Sequence, residues 1–176
     1  MKMGTKSLLF GVHQFIWHPI TVFLAWRYLY GMPTWKEAVC IFIHDLGYWG
    51  SSDMDGEEGI KHPEWAARWA YNHLDRQYEP YDLPNVHFIY YDLCLYHSRN
   101  YARMHSAAPS KLCWADKFCY KYDPVWFYVI RAELSGEIAE YRNLPNNKNF
   151  KGTTAEWYRH ARDVYIKMVL EQQQRM

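Results

Sequence analysis

Apolar residues dominate long stretches of this chain, and no segment alternates apolar and polar residues with the period of a β-strand. The pattern therefore predicts an all-α fold, a single compact bundle of about six to eight helices. The predicted helices cover residues 7–30, 34–45, 63–74 and 86–97, two start near Ser110 and Pro124, one is broken at Gly136, and a long one runs from Thr153 to the C-terminus.

Two of these helices begin with the sequence of a capping box. Thr34 with Glu37, and Thr153 with Glu156, have the spacing at which each side chain accepts a hydrogen bond from the backbone amide of the other residue. Between the second and third predicted helices, the run GYWGSSDMDGEEG has the Gly, Ser and Asp content of a loop. A basic loop is expected after residue 97.

The first predicted helix, residues 7–30, is long enough to span a bilayer. It contains His13, His18 and Arg27, however, which would make insertion costly, and no small-residue cleavage site of a signal peptide follows it. Pro19 is expected to kink this helix. We therefore expect a cytoplasmic protein that does not bind membranes.

The composition favours one helical domain over the whole length of 176 residues, with its motifs at about 13–123 and C-terminal helices at about 124–173. Aromatic residues make up 19%, which argues for a packed core with ring-lined pockets. The chain has 20 basic and 19 acidic residues, so nothing indicates nucleic-acid binding. An oligomer is possible.

The four cysteines, Cys40, Cys94, Cys113 and Cys119, lack CxxC spacing and lie in apolar contexts. We interpret them as small buried residues in a reducing compartment. Zinc ligation by their thiolates is the alternative.

The pair His44-Asp45 in IFIHDLGYWG carries the most chemical information. Four further potential metal ligands lie in apolar stretches on either side of it: His18, His62, His97 and Asp116. Imidazole and carboxylate groups bind iron, manganese, zinc or cobalt, and six are enough for two ions. Burying an aspartate beside an imidazole without a cation costs several kcal/mol, which a bound ion offsets. The pattern predicts a metal centre, in which His13 is the alternative to His18.

In this order the residues resemble the HD-domain superfamily of metal-dependent phosphohydrolases, and the resemblance covers residues from about 13 to 123. The residues that match its one-metal set are His18, His44, Asp45 and Asp116, and those that match the branch with a two-metal centre are His62 and His97. In that branch the equivalent of Asp45 bridges the ions. The resemblance thus implies two divalent ions, from among Fe, Mn, Co, Zn and Mg. The stretches LCLYHS and CWADKF are similar to HD-type dinucleoside tetraphosphate hydrolases.

The chain departs from the family at Tyr48, where many members continue the His-Asp pair with a lysine that binds an anion. Tyr48 and Trp49 are candidates for an aromatic face against a nucleobase. The candidates for replacing the lysine are Arg99, Arg103, Lys111 and Lys117, of which all but Lys111 are predicted to bind substrate. The acidic loop residues Asp53, Asp55, Glu57 and Glu58 are either solvated or supply a proton acceptor near the metals.

Together these features predict an enzyme that hydrolyses a phosphoester or phosphoanhydride bond in a small nucleotide-like molecule. Asp45 is the predicted catalytic residue as the bridge between the ions, which activate water. The main alternative is a mixed-valent di-iron oxygenase of the same superfamily, which acts on a small organic or phosphonate substrate with dioxygen. A third hypothesis is a binding or regulatory protein stabilised by its metal.

Overall fold

The computed structural model describes residues 1–76, 88–145 and 147–175, and all regular elements in these ranges are helical, which confirms the all-α prediction. The α-helices are α1 Met3–Phe10, α2 Trp17–Tyr30, α3 Trp35–Ile43, α4 Pro63–Ala70, α5 Ile89–Leu95, α6 Arg99–Met104, α7 Lys111–Phe118, α8 Val125–Ser135, α9 Glu137–Asn143 and α10 Thr154–Gln173. Within the described residues, no helix is both long enough and apolar enough to cross a membrane.

The predicted count of six to eight helices is too low, since the described residues form ten. One reason is that the first predicted helix is two helices, α1 and α2. At Gly11 the helix ends, and the backbone amide of Val12 donates to the Glu137 carboxylate at 2.9 Å. The Gln14 side chain then accepts from the amide of Trp17 at 2.6 Å, which starts α2. In this break, side-chain oxygens accept the hydrogen bonds of backbone amides that would bond to backbone carbonyls in a continuous helix.

Two further expectations for these segments are wrong. Pro19 does not kink a helix, because it lies in the first turn of α2, where a missing amide proton breaks no helical bond. The segment after His97 is not only a loop: it forms α6, for which the Ser98 hydroxyl accepts from the Tyr101 amide at 3.3 Å. The hydroxyl supplies the N-cap that a helix start needs.

Both predicted capping boxes are present. The Thr34 amide donates to the Glu37 carboxylate at 2.7 Å and the Thr153 amide donates to Glu156 at 2.8 Å, while each threonine hydroxyl accepts in return. Gly136 ends α8 with a φ of 85°, a left-handed conformation that glycine adopts without strain. The start of the predicted helix at 86–97 lies outside the described residues. The described part of this segment begins at Phe88 and contains α5.

Buried side chains form a main core between α2, α3, α4, α5 and α7, represented by Trp26, Ile41 and Leu112. A second cluster joins α8 to α10, where the rings of Tyr128 and Tyr158 stack with centroids 3.7 Å apart. Because α10 also packs against α7, the C-terminal helices lie over the part of the main core that carries Asp116.

Candidate metal centre

Six buried side chains converge where five segments of the chain meet. His18 is in the first turn of α2, His44 and Asp45 follow α3, His62 precedes α4, His97 lies two residues after α5, and Asp116 is in α7. None of the six exposes more than 7% of its surface. They are the residues that the sequence predicts as metal ligands, and the fold brings all of them together.

The Asp45 carboxylate lies at the middle of the cluster. Its Oδ2 is 3.1 Å from Nε2 of His18 and 3.1 Å from Nε2 of His44. Its Oδ1 is 3.3 Å from Nε2 of His97 and 3.5 Å from Nε2 of His62. Each oxygen of this carboxylate therefore faces a different pair of imidazole nitrogens.

Two further short distances lie on either side of Asp45. Asp116 Oδ1 lies 3.2 Å from Nε2 of His18, and the Nε2 atoms of His62 and His97 are 2.9 Å apart. Two overlapping sets have ligand atoms that all lie within 4.8 Å of one another: His18, His44 and Asp116, and His44, Asp45 and His97. Each set can hold a metal ion.

Backbone carbonyls orient three of the four histidines. Each of these rings places Nδ1 against the carbonyl oxygen three residues earlier in the chain. The distances are 2.7 Å for His44 to Ile41, 2.7 Å for His62 to Gly59 and 2.5 Å for His97 to Cys94. A carbonyl only accepts, so Nδ1 carries the proton and Nε2 presents a lone pair to the centre, as in metal-binding histidines.

Polar atoms within the cluster lack hydrogen-bond partners. His18 Nε2, His44 Nε2 and Asp45 Oδ2 are buried and make no hydrogen bond within the described residues. The ring of His18 differs from the others because its Nδ1 faces the Cys119 sulfur at 3.9 Å. Buried polar atoms without partners are costly, and a shared cation is what would compensate them. The donor set fits a metal ion on this ground.

Both carboxylates are ionised in this environment. Burial acts to raise the pKa of Asp45, but the neighbouring His44 and other imidazoles lower it well below its usual value. Burial acts on Asp116 in the same direction, and the Lys117 ammonium, whose Nζ is 2.7 Å from Asp116 Oδ2, outweighs it and lowers the pKa of Asp116. Two negative charges are thus held inside the protein.

The pKa values of the histidines shift in two directions. Burial, together with the neighbouring His97, lowers the pKa of His62 well below its usual value, and burial lowers the pKa of His97. Both rings are neutral at neutral pH, the form that binds metals. At His18 burial acts to lower the pKa, but Cys119 and the carboxylates of Asp116 and Asp45 raise it. Positive charge is favoured at this point.

Tyr48, predicted to contact substrate, is buried beside the cluster. Its ring stacks on His62 with centroids 3.9 Å apart, and burial and the charge of Asp45 raise the pKa of its hydroxyl. Trp49 exposes 64% of its surface and lies outside the cavity lining, so the two rings do not form one face.

The predicted cationic residues are distributed unequally. Lys117 and Arg99 line a cavity of about 210 Å³ that opens onto Asp45, His62, His97 and Asp116. Arg99 donates to Met168 Sδ at 2.7 Å. Arg103 lies outside this cavity but lines a neighbouring one of about 490 Å³, which also includes Arg99. Lys111 lies over the ring of Tyr30, 5.6 Å from its centroid.

The acidic loop places one side chain at the cavity. Asp55 lines it from an exposed position. Asp53 accepts from the Gly59 amide at 2.8 Å and Glu58 accepts from the Ser52 amide at 2.7 Å, so these two carboxylates shape the loop. Glu57 is exposed.

The opposite wall of the cavity comes from C-terminal residues that the sequence analysis did not assign to the site. Tyr141 of α9, Asn147, and Trp157 and Tyr165 of α10 line it. Their sequence contains no metal-ligand or anion-binding pattern, and the last helix is rich in polar residues. The packing of α10 against α7 brings Trp157 and Tyr165 to the centre.

His13, the alternative first ligand, lies at the cavity edge but outside the ligand cluster. Its Nδ1 lies 3.2 Å from a carboxylate oxygen of Glu137 and 3.0 Å from the Ser7 hydroxyl. Of the two candidates for the first ligand, His18 is the one whose Nε2 approaches both Asp45 and Asp116. Glu137 was missed from the sequence, since an acidic residue after a glycine at a helix start has the pattern of an exposed N-terminal turn.

Comparisons with known proteins give no match: no family model fits this sequence, and no curated protein or solved structure is similar to it. The resemblance to the HD superfamily stays a prediction, carried by the order of the six residues.

Proposed function

We propose that this protein is a metal-dependent phosphohydrolase that cleaves a phosphoester or phosphoanhydride bond of a small nucleotide-like molecule. The single observation that carries the proposal is the position of Asp45, whose two carboxylate oxygens face separate histidine pairs at 3.1–3.5 Å. A carboxylate in this position suits a bridge between two ions, and paired ions are the usual catalysts of displacement at phosphorus.

The ligands divide between two positions. One is surrounded by His18, His44, Asp116 and Asp45 Oδ2, and the other by His62, His97 and Asp45 Oδ1. Nitrogen and oxygen ligands without thiolates suit Fe, Mn, Co, Zn or Mg. Bound ions would supply Lewis acidity, which lowers the pKa of water and offsets charge on phosphoryl oxygens. The second position has fewer protein ligands, which leaves room for solvent or substrate.

The cationic side chains at the cavity support an anionic substrate. Lys117 is held next to the centre by Asp116, and the same carboxylate raises its pKa against the effect of burial, so the ammonium stays charged. Arg99 stands where the central cavity meets the second cavity. In the proposal, Lys117 and Arg99 bind phosphoryl oxygens by charge-assisted hydrogen bonds.

The size of the cavities supports a substrate larger than phosphate. The central cavity, about 210 Å³, is smaller than a typical site for a whole ligand of drug size, about 300–1,000 Å³. The adjoining cavity of about 490 Å³ shares Arg99 and Asn100 with it and adds Arg103. We propose that the reacting phosphate occupies the first cavity and the rest of the substrate the second.

The test begins with elemental analysis of protein purified without chelator or an affinity-tag metal. The metal-loaded protein is then assayed against a panel of nucleotides and dinucleoside polyphosphates with detection of released phosphate or nucleotide. Turnover that requires metal and is absent in Asp45→Ala supports the proposal, with Asp163→Ala, an exposed carboxylate of α10, as the control. No hydrolysis of any phosphorylated compound by fully loaded protein rejects it.

One observation favours a second candidate, the di-iron oxygenase. Tyr48 fills the place after the His-Asp pair with a buried ring stacked on His62, where phosphohydrolases of the resembling family commonly have a cation. Iron suits the same histidine and carboxylate ligands. Oxygen uptake that depends on iron and on an added phosphonate or other small organic compound, without phosphate release from nucleotides, would favour this candidate over the phosphohydrolase.

A further inference from the structure

Glu137 is a carboxylate in the interior whose partners include Val12, Tyr141 and His13. Its side chain is fully buried. One oxygen accepts from the Val12 amide at 2.9 Å, and the other accepts from the Tyr141 hydroxyl at 2.8 Å and lies 3.2 Å from Nδ1 of His13. A buried carboxylate with donors on both oxygens is held in one orientation.

These partners determine where His13 carries its proton. Burial acts to raise the pKa of Glu137, but hydrogen bonds from His13, the Ser135 hydroxyl and the Val12 amide lower it, so the side chain is an ionised acceptor. A carboxylate only accepts, so its approach to 3.2 Å favours a proton on Nδ1 of His13, and the Ser7 hydroxyl, 3.0 Å from the same nitrogen, then serves as a second acceptor. In the neutral ring, Nε2 then carries a lone pair and points away from Glu137.

The ring of His13 also lines the cavity. His13 lines the cavity that opens onto the candidate metal centre, with its centroid 5.3 Å from that of His18 and 5.1 Å from that of Tyr48. The ligand nitrogens of the centre approach Asp45 within 3.5 Å, and His13 is not among them. His13 is therefore placed beside the centre and oriented by a partner 124 residues away.

We infer that His13 is a hydrogen-bond acceptor for the attacking water of the hydrolysis, and that Glu137 is the positioning residue that presents its Nε2 to the cavity. The inference rests on the proposed function. An acceptor fixed beside the reacting centre limits the orientations of the water and so favours attack. A purely structural link between α1 and α9 would need the Glu137 bond but no lone pair at the cavity.

The variant His13→Asn distinguishes an acceptor for the attacking water from a purely structural link to Glu137. The asparagine amide can replace Nδ1 as donor to Glu137, while nothing replaces Nε2. We expect kcat to fall by roughly 10- to 1000-fold, with KM within about twofold, and metal content and thermal midpoint close to those of the wild type. Wild-type turnover in this variant overturns the inference, and so does the loss of a metal ion, which would make His13 a ligand.

Glu137→Gln tests the positioning role. An amide donor facing Nδ1 moves the ring proton to Nε2 and removes the acceptor, so kcat falls as in His13→Asn, and the double variant is no slower than the slower single one. Glu140→Gln is the matched control, because Glu140 lies in the same helix and accepts from the Met54 amide at 3.0 Å. Independent, multiplicative losses in the double variant overturn the coupling.

Nitrogen-15 NMR of the His13 ring separates failure of this inference from failure of the proposed function. The expected spectrum shows a protonated Nδ1 and a bare Nε2 in the wild type, and the reverse in Glu137→Gln. A wild type with the proton on Nε2 overturns the inference for any substrate. A wild type that hydrolyses no phosphorylated compound rejects the proposed function, and the assignment of the water to His13 with it.

Discussion

The backbone of Gly47 lies directly against the backbone of His62. A Cβ added at Gly47 would come within 2.0 Å of the carbonyl oxygen of His62. The chain that leaves the His-Asp pair therefore passes the start of α4 at a distance that only glycine permits. This contact holds the turn that follows Asp45 against the backbone of His62, and both residues belong to the candidate metal centre.

Gly47→Ala is expected to lower the free energy of unfolding by about 1–3 kcal/mol and to weaken the metal site that includes His62, because the backbones must separate. Denaturant unfolding of metal-free protein and elemental analysis measure the two effects. Gly31→Ala is the comparison: its φ is 85°, but no atom of the described residues lies within 4 Å of the added Cβ, so it should lose stability and keep its metal content. Wild-type metal content in Gly47→Ala would contradict the prediction.

Removing His62 or His18 should affect different ions. If two ions bind, His62→Ala lowers the metal content from about two per chain toward one by losing a ligand near Asp45 Oδ1, and His18→Ala does so on the Oδ2 side. Isothermal titration and elemental analysis of both variants give the counts. His73→Ala, whose ring stacks on Trp69 away from the cluster, should match the wild type. A wild type that never binds more than one ion contradicts this prediction.

Asp45 should be the residue on which both positions depend. Asp45→Ala is expected to lose activity and most of the bound metal while the far-ultraviolet helical signal stays, since the helices end before the pair. Asp45→Asn keeps one carbonyl oxygen and should retain at most one ion. Full metal occupancy together with wild-type turnover in Asp45→Ala would remove the residue from the site.

Neutralising a cation at the cavity should slow phosphate chemistry. Arg99→Gln or Lys117→Met is expected to reduce turnover of a phosphorylated substrate by roughly 10- to 1000-fold, the scale of one charged transition-state contact of about 1.4–4 kcal/mol. Steady-state kinetics and metal content are measured together, and both variants should still bind metal. Lys121→Met is the control, because Lys121 lies over the ring of Tyr28 at 3.9 Å. Unchanged rates in both test variants exclude these residues from the proposed binding role.

The stability of the metal-free protein should depend on pH through Glu137. Its pKa in the folded protein is lowered from about 4.5, so the unfolded chain takes up the proton first as the pH falls. The stabilisation is complete above about pH 4.5 and is lost as the pH drops through the lowered pKa. Wild type and Glu137→Gln should therefore differ most near neutral pH, by about 1–3 kcal/mol, and converge in acid, as measured by denaturant unfolding with a chelator. A difference that does not change with pH would contradict the assignment of an ionised Glu137.

The sequence by itself determines the helical class, both capping boxes and the six residues that converge at the centre. Helix starts such as Thr34 depend on contacts within one helical turn, and these are written in adjacent residues. The candidate ligand set could be chosen from the sequence because burying an aspartate beside a histidine in an apolar segment is costly without a cation. The break between α1 and α2 was not predictable, because the Val12 amide within it bonds to Glu137 far along the chain.

Only the tertiary structure decides between His13 and His18, since both lie near the start of α2 and differ in what other segments bring to them. Glu137 binds His13 from 124 residues away, and Asp116 approaches His18 from α7. The cavity wall from Tyr141 and Trp157 arises in the same way, through the packing of α9 and α10. Periodicity and caps report interactions within a few residues, whereas these partners meet only when distant apolar faces are buried together.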